Sequence, residues 1–228
     1  MLWSHTDGDR PPLIRFPSAG GITLEGELRH PDGPARGTAV LSHPDPRHGG
    51  SKDHPLLWAI RNDLASARGL VVLAFNFRGV MGSEGERTNG VEEPDDVFAA
   101  IARVREEAPG PTVAAGWSFG ANVALRAAAR DERIARLALV GMPLGEAAEM
   151  VPPLDDETLA RVTIPVLLVA GDGDPFCPVG EAEAVASRLP DARVDVVEGG
   201  DHYFPKRERE VAELVGAFLG GAVAQPER

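Results

Sequence analysis

The chain alternates between short, mostly apolar runs and segments whose apolar residues recur every three or four positions. The runs are Thr38-Ala-Val-Leu-Ser42, Leu70-Val-Val-Leu-Ala-Phe75, Thr112-Val-Ala-Ala-Gly116, Leu137-Ala-Leu-Val140, Pro165-Val-Leu-Leu-Val-Ala170 and Val194-Asp-Val-Val197. Their length and character suit strands buried on both faces. Between the first two, Leu56, Leu57, Ile60, Leu64 and Ala67 fall on one face of a helix over 55–68, which Gly69 ends. Further helices are expected over 94–107, with Pro94 near the start, and over 119–130, 180–189 and 206–219. Upstream, 13–16 and 22–29 predict an antiparallel hairpin around the turn Ser18-Ala-Gly-Gly21.

Repeated strand–helix units of this kind predict an α/β fold: a mostly parallel central sheet of about eight strands with helices on both faces. Neither repeats nor low-complexity segments interrupt it, so one domain over 1–228 is expected. Met142 to Thr163, with Pro143, Pro152, Pro153 and several acidic residues, reads as a short cap-like excursion off the sheet. Gln225–Arg228 reads as a frayed tail.

Charge narrows the partners. A net charge of −12 argues against nucleic acid and against an anionic membrane surface, since both need a basic footprint. The first ten residues have neither a basic start nor an apolar core, so they are not expected to be a signal peptide. No apolar run approaches the roughly 18 residues that span a bilayer. A single cysteine, Cys177, permits no internal disulfide. A cytoplasmic location is the simplest expectation, and a homodimer is left open.

Three loops at strand ends carry candidate chemistry. Gly116-Trp-Ser118-Phe-Gly120 lies between a strand and a helix. A serine in such a turn is held strained with its oxygen exposed, next to a helix N-terminus that favours negative charge. The alternative is a serine that merely caps the helix. A serine nucleophile needs a base, and in sheets of this kind the order along the chain is Ser, Asp or Glu, then His. Gly171-Asp-Gly-Asp-Pro-Phe-Cys-Pro178 and Glu198-Gly-Gly-Asp-His-Tyr203 supply that order. His202 is the only histidine after residue 54. Ser118 as nucleophile, His202 as base and Asp174 as its orienting carboxylate are therefore the expected triad. Asp172, directly after its strand, is as well suited to bonding its own turn, and Asp172 or Asp201 remains the fallback for the carboxylate. Trp117, Phe119, Phe176, Tyr203 and Phe204 surround these loops. Trp117, Phe176 and Tyr203 are expected to bind substrate, lining an acyl pocket.

Together these motifs resemble the α/β-hydrolase superfamily over roughly residues 20–220: Gly116–Gly120 its nucleophile elbow, Gly171-x-x-Asp174 its acid loop, Gly200-Asp-His202 its histidine loop. His43-Pro-Asp-Pro-Arg-His-Gly-Gly50 and Phe75-Asn-Phe-Arg-Gly-Val-Met-Gly-Ser83-Glu-Gly resemble a group of small bacterial hydrolases. That group looks like nearly lidless esterases related to dienelactone hydrolases. The resemblance implies an α/β-hydrolase fold with little or no lid. It also implies an oxyanion hole made of the backbone N–H groups of Phe119 and Asp45, since Pro44 has none. A carboxylate at residue 45 would oppose the oxyanion, so either its side chain points away or the substrate carries a cation.

The expected function is hydrolysis of small, short-chain carboxylic esters through an acyl-serine, with no metal and no cofactor. A thioesterase or acyltransferase would use the same triad, and a ligand-binding protein could keep the fold without turnover. Two competing chemistries remain. His43, Asp45 and His48, followed by Asp53 and His54, could be read as metal ligands, although prolines on both sides of Asp45 make convergence awkward. Cys177 could be a reactive thiol, although a lone cysteine is more often a packed apolar residue.

Overall fold

The computed structural model describes residues 12–149 and 151–223; the signal-peptide reading of the N-terminus and the tail reading of 225–228 lie outside them. The apolar runs become strands β1 (Leu13–Pro17), β2 (Thr23–Arg29), β3 (Gly37–Ser42), β4 (Leu70–Phe75), β5 (Thr112–Trp117), β6 (Ile134–Val140), β7 (Val166–Gly171) and β8 (Ala192–Val197). They form one sheet of order β1-β2-β4-β3-β5-β6-β7-β8. β1 and β2 pair antiparallel, β2 joins β4 antiparallel, and all other pairs are parallel.

Because side chains alternate across a strand, each strand feeds two cores. Val40, Val71, Leu73, Ala114, Leu137, Leu139 and Leu168 join helices α2 (Glu93–Val104), α3 (Phe119–Ala128) and α5 (Val179–Ala186) on one face. Leu41, Val72, Ala74, Ala115, Ala138, Val140 and Val169 join α1 (Pro55–Asn62) and α6 (Glu208–Gly220) on the other. β3, β4, β5 and β7 are buried at every position, which is why their sequences run apolar without alternation.

The expected helix over 55–68 divides: α1 ends at Asn62 and a wider π turn covers Asp63–Ala67. Gly69, at φ 72°, takes the left-handed conformation that turns the chain into β4. Between β6 and β7 the described residues of the excursion form a short turn at Gly145–Ala148 and the five-residue helix α4 (Asp156–Ala160). Among the described residues no helix is long and apolar enough to cross a membrane.

Candidate active site

Parallel strands bring their carboxyl ends to one rim, and the three candidate loops leave β5, β7 and β8 there. Ser118 follows β5 at φ 55° and ψ −123°, a conformation L-residues rarely adopt. Its side chain does not cap α3. Glycines make the turn possible: a Cβ on Gly116 would collide with the Gly120 carbonyl, and a Cβ on Gly120 with the Ser42 and His43 carbonyls. The hydroxyl is thus turned away from the helix and toward the histidine loop.

The structure brings Ser118, His202 and Asp174 into one hydrogen-bonded line. His202 Nε2 lies 2.9 Å from Ser118 Oγ, and His202 Nδ1 lies 2.9 Å from Asp174 Oδ2. With Asp174 ionised, Nδ1–H donates to the carboxylate and Nε2 is left to accept from the serine. Asp174 Oδ1 accepts from the N–H groups of Phe176 and Cys177, so its carboxylate is fixed by its own loop. Asp172 bonds elsewhere than expected: its Oδ1 accepts from Gly199 N at 2.7 Å, tying the acid loop to the histidine loop rather than closing its own turn. Asp201 accepts from Tyr203 N and Phe204 N and turns away from the triad. Gly141, which the sequence reading missed, lies beneath the line at φ 51°. A Cβ there would stand 3.3 Å from Asp174 Oδ2 and 3.4 Å from His202 Nδ1.

The loop after β3 forms another wall. Asp45 does not point freely at the serine: its carboxylate accepts from Arg47 N and Nε, and pairs with the Arg47 guanidinium. Desolvation pushes this carboxyl upward, but the Arg47 hydrogen bonds and charge outweigh it and hold it below the usual carboxylate range. His43 is fully buried with both ring nitrogens engaged, Nδ1 at 2.7 Å from Pro44 O and Nε2 accepting from Phe77 N at 3.0 Å. Burial lowers its pKa to about 4, so it is a neutral structural ring with no lone pair free for a metal. His54 caps α1 by accepting from Leu56 N. Among the described residues no group of three or more His, Cys, Asp or Glu side chains could hold a metal ion.

Behind this loop sits a buried ionic network that no motif announced. Glu27 on β2 accepts from Lys52 Nζ at 2.8 Å and from Arg61 Nη1 at 2.7 Å, and Lys52 N donates to Asn76 Oδ1. It joins β2, the loop after β3, α1 and the loop after β4.

Ser118 opens into a cleft of about 340 Å³, lined by Asp45, His54, Phe119, Asn122, Phe176 and Tyr203 among others. The excursion supplies Pro143, Ala147 and Val151 to its wall. Two side chains one turn apart on α3 hold it there, Asn122 Nδ2 donating to Pro143 O and Arg126 to Pro152 O. Trp117 borders the cleft but is buried, and its Nε1–H donates to the His202 carbonyl, tying the histidine loop to the end of β5. Phe204 is core. Cys177 is buried, and burial pushes its thiol up to about 12, far from a reactive thiolate.

Comparison with known proteins gives concordant matches. A family model described as alpha/beta hydrolase domain matches residues 37–218. An uncharacterized protein of Rickettsia prowazekii (strain Madrid E) is 27% identical over 216 residues, covering 91% of this chain and 88% of that protein. An alpha-beta serine hydrolase homologue from Coxiella burnetii superposes with a TM-score of 0.78 at 28% identity, covering 94% of this chain and 99% of its own. A serine hydrolase without lid from Xanthomonas campestris gives 0.79 at 24% identity, covering 96% and 98%. An esterase from Pyrococcus furiosus gives 0.80 at 19% identity, covering 98% of each chain. The last two likenesses bear on the fold alone.

Proposed function

This chain belongs to the alpha/beta hydrolase domain family, and we propose that it is a serine hydrolase cleaving small carboxylic esters through an acyl-serine intermediate. The family match and the serine hydrolase among its structural relatives support a hydrolase. The observation that carries the finer reading is the line Asp174–His202–Ser118, with 2.9 Å at each link and the serine in a strained turn.

In this reading Ser118 Oγ attacks the ester carbonyl while His202 Nε2 takes its proton. Asp174 accepts the Nδ1–H bond, holding the tautomer and stabilising the imidazolium. The carbonyl oxygen becomes an oxyanion, received by the N–H of Phe119, in the first turn of α3 where no intrahelical acceptor competes, and by that of Asp45. As the tetrahedral intermediate collapses, the C–O bond to the alcohol breaks and His202 returns the proton to the leaving oxygen. Water, activated by the same histidine, then attacks the acyl-serine, releasing the acid and restoring Ser118. Arg47 neutralises the Asp45 carboxylate, so the oxyanion needs no cationic substrate to offset it. Among the described residues the cleft is open, which admits water and favours hydrolysis over acyl transfer.

Fluorophosphonate labelling followed by peptide mass spectrometry tests the proposal. The adduct is expected on Ser118 of the wild-type chain and nowhere in Ser118→Ala. Absence of labelling, or equal labelling of both, would return the protein to the non-catalytic ligand-binding reading.

A further inference from the structure

The base decides where the alcohol portion of an ester must lie. In the acylation just described His202 Nε2 hands its proton to the leaving oxygen, so that oxygen must come within hydrogen-bond reach of Nε2. The side chains around the imidazole are therefore the ones the leaving group meets first.

Two of them are aromatic rings left about half in solvent. Phe176 is 43% exposed, its ring centroid 4.7 Å from that of His202 at 53°. Tyr203 is 51% exposed, 5.5 Å from His202 at 85°. Both line the cleft. Neither fills the core, and neither is loose. Phe176 N donates to Asp174 Oδ1 and Phe176 O accepts from Leu144 N, while Tyr203 N donates to Asp201 Oδ1 and its ring meets Trp117 edge-on at 6.2 Å. Large apolar rings held in water are an unspent attraction for a flat apolar group, which gains both area burial and ring–ring contact there. On the wall built by α3 and the excursion, Asn122, Pro143, Ala147 and Val151 carry no ring, and the Phe119 ring is already engaged edge-on with Phe77 at 5.7 Å.

Resting on the serine hydrolase reading, we propose that Phe176 and Tyr203 form a slot for the leaving group, and that the preferred substrates are esters of phenols or other aryl alcohols. This moves the two rings from the acyl pocket to the alcohol side. Specificity then resides in the alcohol released rather than in the acid.

The test holds the acyl group constant. kcat/KM is measured for phenyl acetate and hexafluoroisopropyl acetate, whose alcohols have similar acidity but only one of which carries a ring, in the wild-type chain, Phe176→Leu and Tyr203→Leu. The phenyl-to-fluoroalkyl ratio is expected to fall about two- to tenfold in each variant, the range of one aromatic contact. A ratio unchanged in both overturns the slot. A binding measurement separates the slot from the chemistry: phenol and cyclohexanol are offered in turn to full-length Ser118→Ala and followed by saturation-transfer NMR. Phenol is expected to receive saturation, and to receive less when Phe176→Leu is added; equal transfer to cyclohexanol overturns the slot. A chain that turns over neither ester yet binds phenol in this selective way keeps the slot and loses the hydrolase reading. One that turns over both esters with a ratio indifferent to either ring is a hydrolase without the slot.

Discussion

Asp172 and Asp174 sit two residues apart, yet their oxygens meet different partners, and that difference sets what each substitution should do. Asp174 alone touches His202, so Asp174→Asn leaves a side chain that can misorient the imidazole tautomer; kcat is expected to fall by about 10⁴, the size found when this link is broken in the well-studied triad. Asp172→Asn keeps an acceptor oxygen for Gly199 N, and its effect is expected to be a stability change of about 1 kcal/mol or less with turnover largely retained. Steady-state kinetics and thermal melts of the two variants check this, and the opposite ranking would transfer the carboxylate role to Asp172. His43 gives a pH prediction. Its folded pKa of about 4 lies below the ordinary 6.5, so between those values the unfolded chain binds the proton and the folded one does not. Stability from this residue is present above pH 6.5 and is lost as pH falls toward 4, by about 3 kcal/mol in all. Burial shifts His54 in the same direction. Melting temperature should therefore drop between pH 7 and pH 5; a flat profile would mean that the ring is protonated inside the fold. Ser118 and His202 were legible from their order along the chain. Gly141 was not, because a side chain there is disfavoured by its positive φ and by the close approach of residues 174 and 202, set by the sheet and not by any local pattern.

The elbow between β5 and α3 is stiff because backbone meets backbone. A methyl group on Gly120 would press on the carbonyls of Ser42 and His43, the end of β3 and the start of the loop that carries Asp45. Gly120→Ala is expected to destabilise by about 1–3 kcal/mol, as overpacking does, and also to lower kcat by displacing the Asp45 N–H. Wild-type kcat in a variant with a lowered melting temperature would uncouple the loop from the oxyanion. Strands were the most readable elements, since β3, β4, β5 and β7 are buried on both faces and their sequences carry few polar residues, the buried Thr38 and Thr112 bonding each other. The π turn at Asp63–Ala67 was unreadable, because Leu64 and Ala67 keep helical spacing through it. The Glu27–Lys52–Arg61 network was equally silent: three charged residues far apart in sequence look solvated until β2 and α1 converge on the loop between them.

For the molecule as a whole, the decisive quantity is what covers the cleft. The excursion between β6 and β7, pinned to α3 by Asn122 and Arg126, rises beside it opposite the loop after β3, and a volume of about 340 Å³ suits a small acyl group. Activity on p-nitrophenyl esters is expected to fall as the acyl chain lengthens from acetate and butyrate to palmitate. A kcat/KM that rises with length would contradict the open-cleft reading and point to a lid or a partner chain over the site. The sheet order has a further consequence, in time. Ser118 and His202, the proposed nucleophile and base, are neighbours in space but 84 residues apart in sequence, with Asp174 between them. At roughly 5–20 residues per second, a growing chain carries the serine for about 4–17 s before the histidine has been added. Throughout that interval the elbow can fold against the strands already made, yet its hydroxyl has nothing to take its proton. On the proposed mechanism, synthesis therefore delivers the hydroxyl before the base, and each nascent chain stays chemically silent until the loop after β8 has been made.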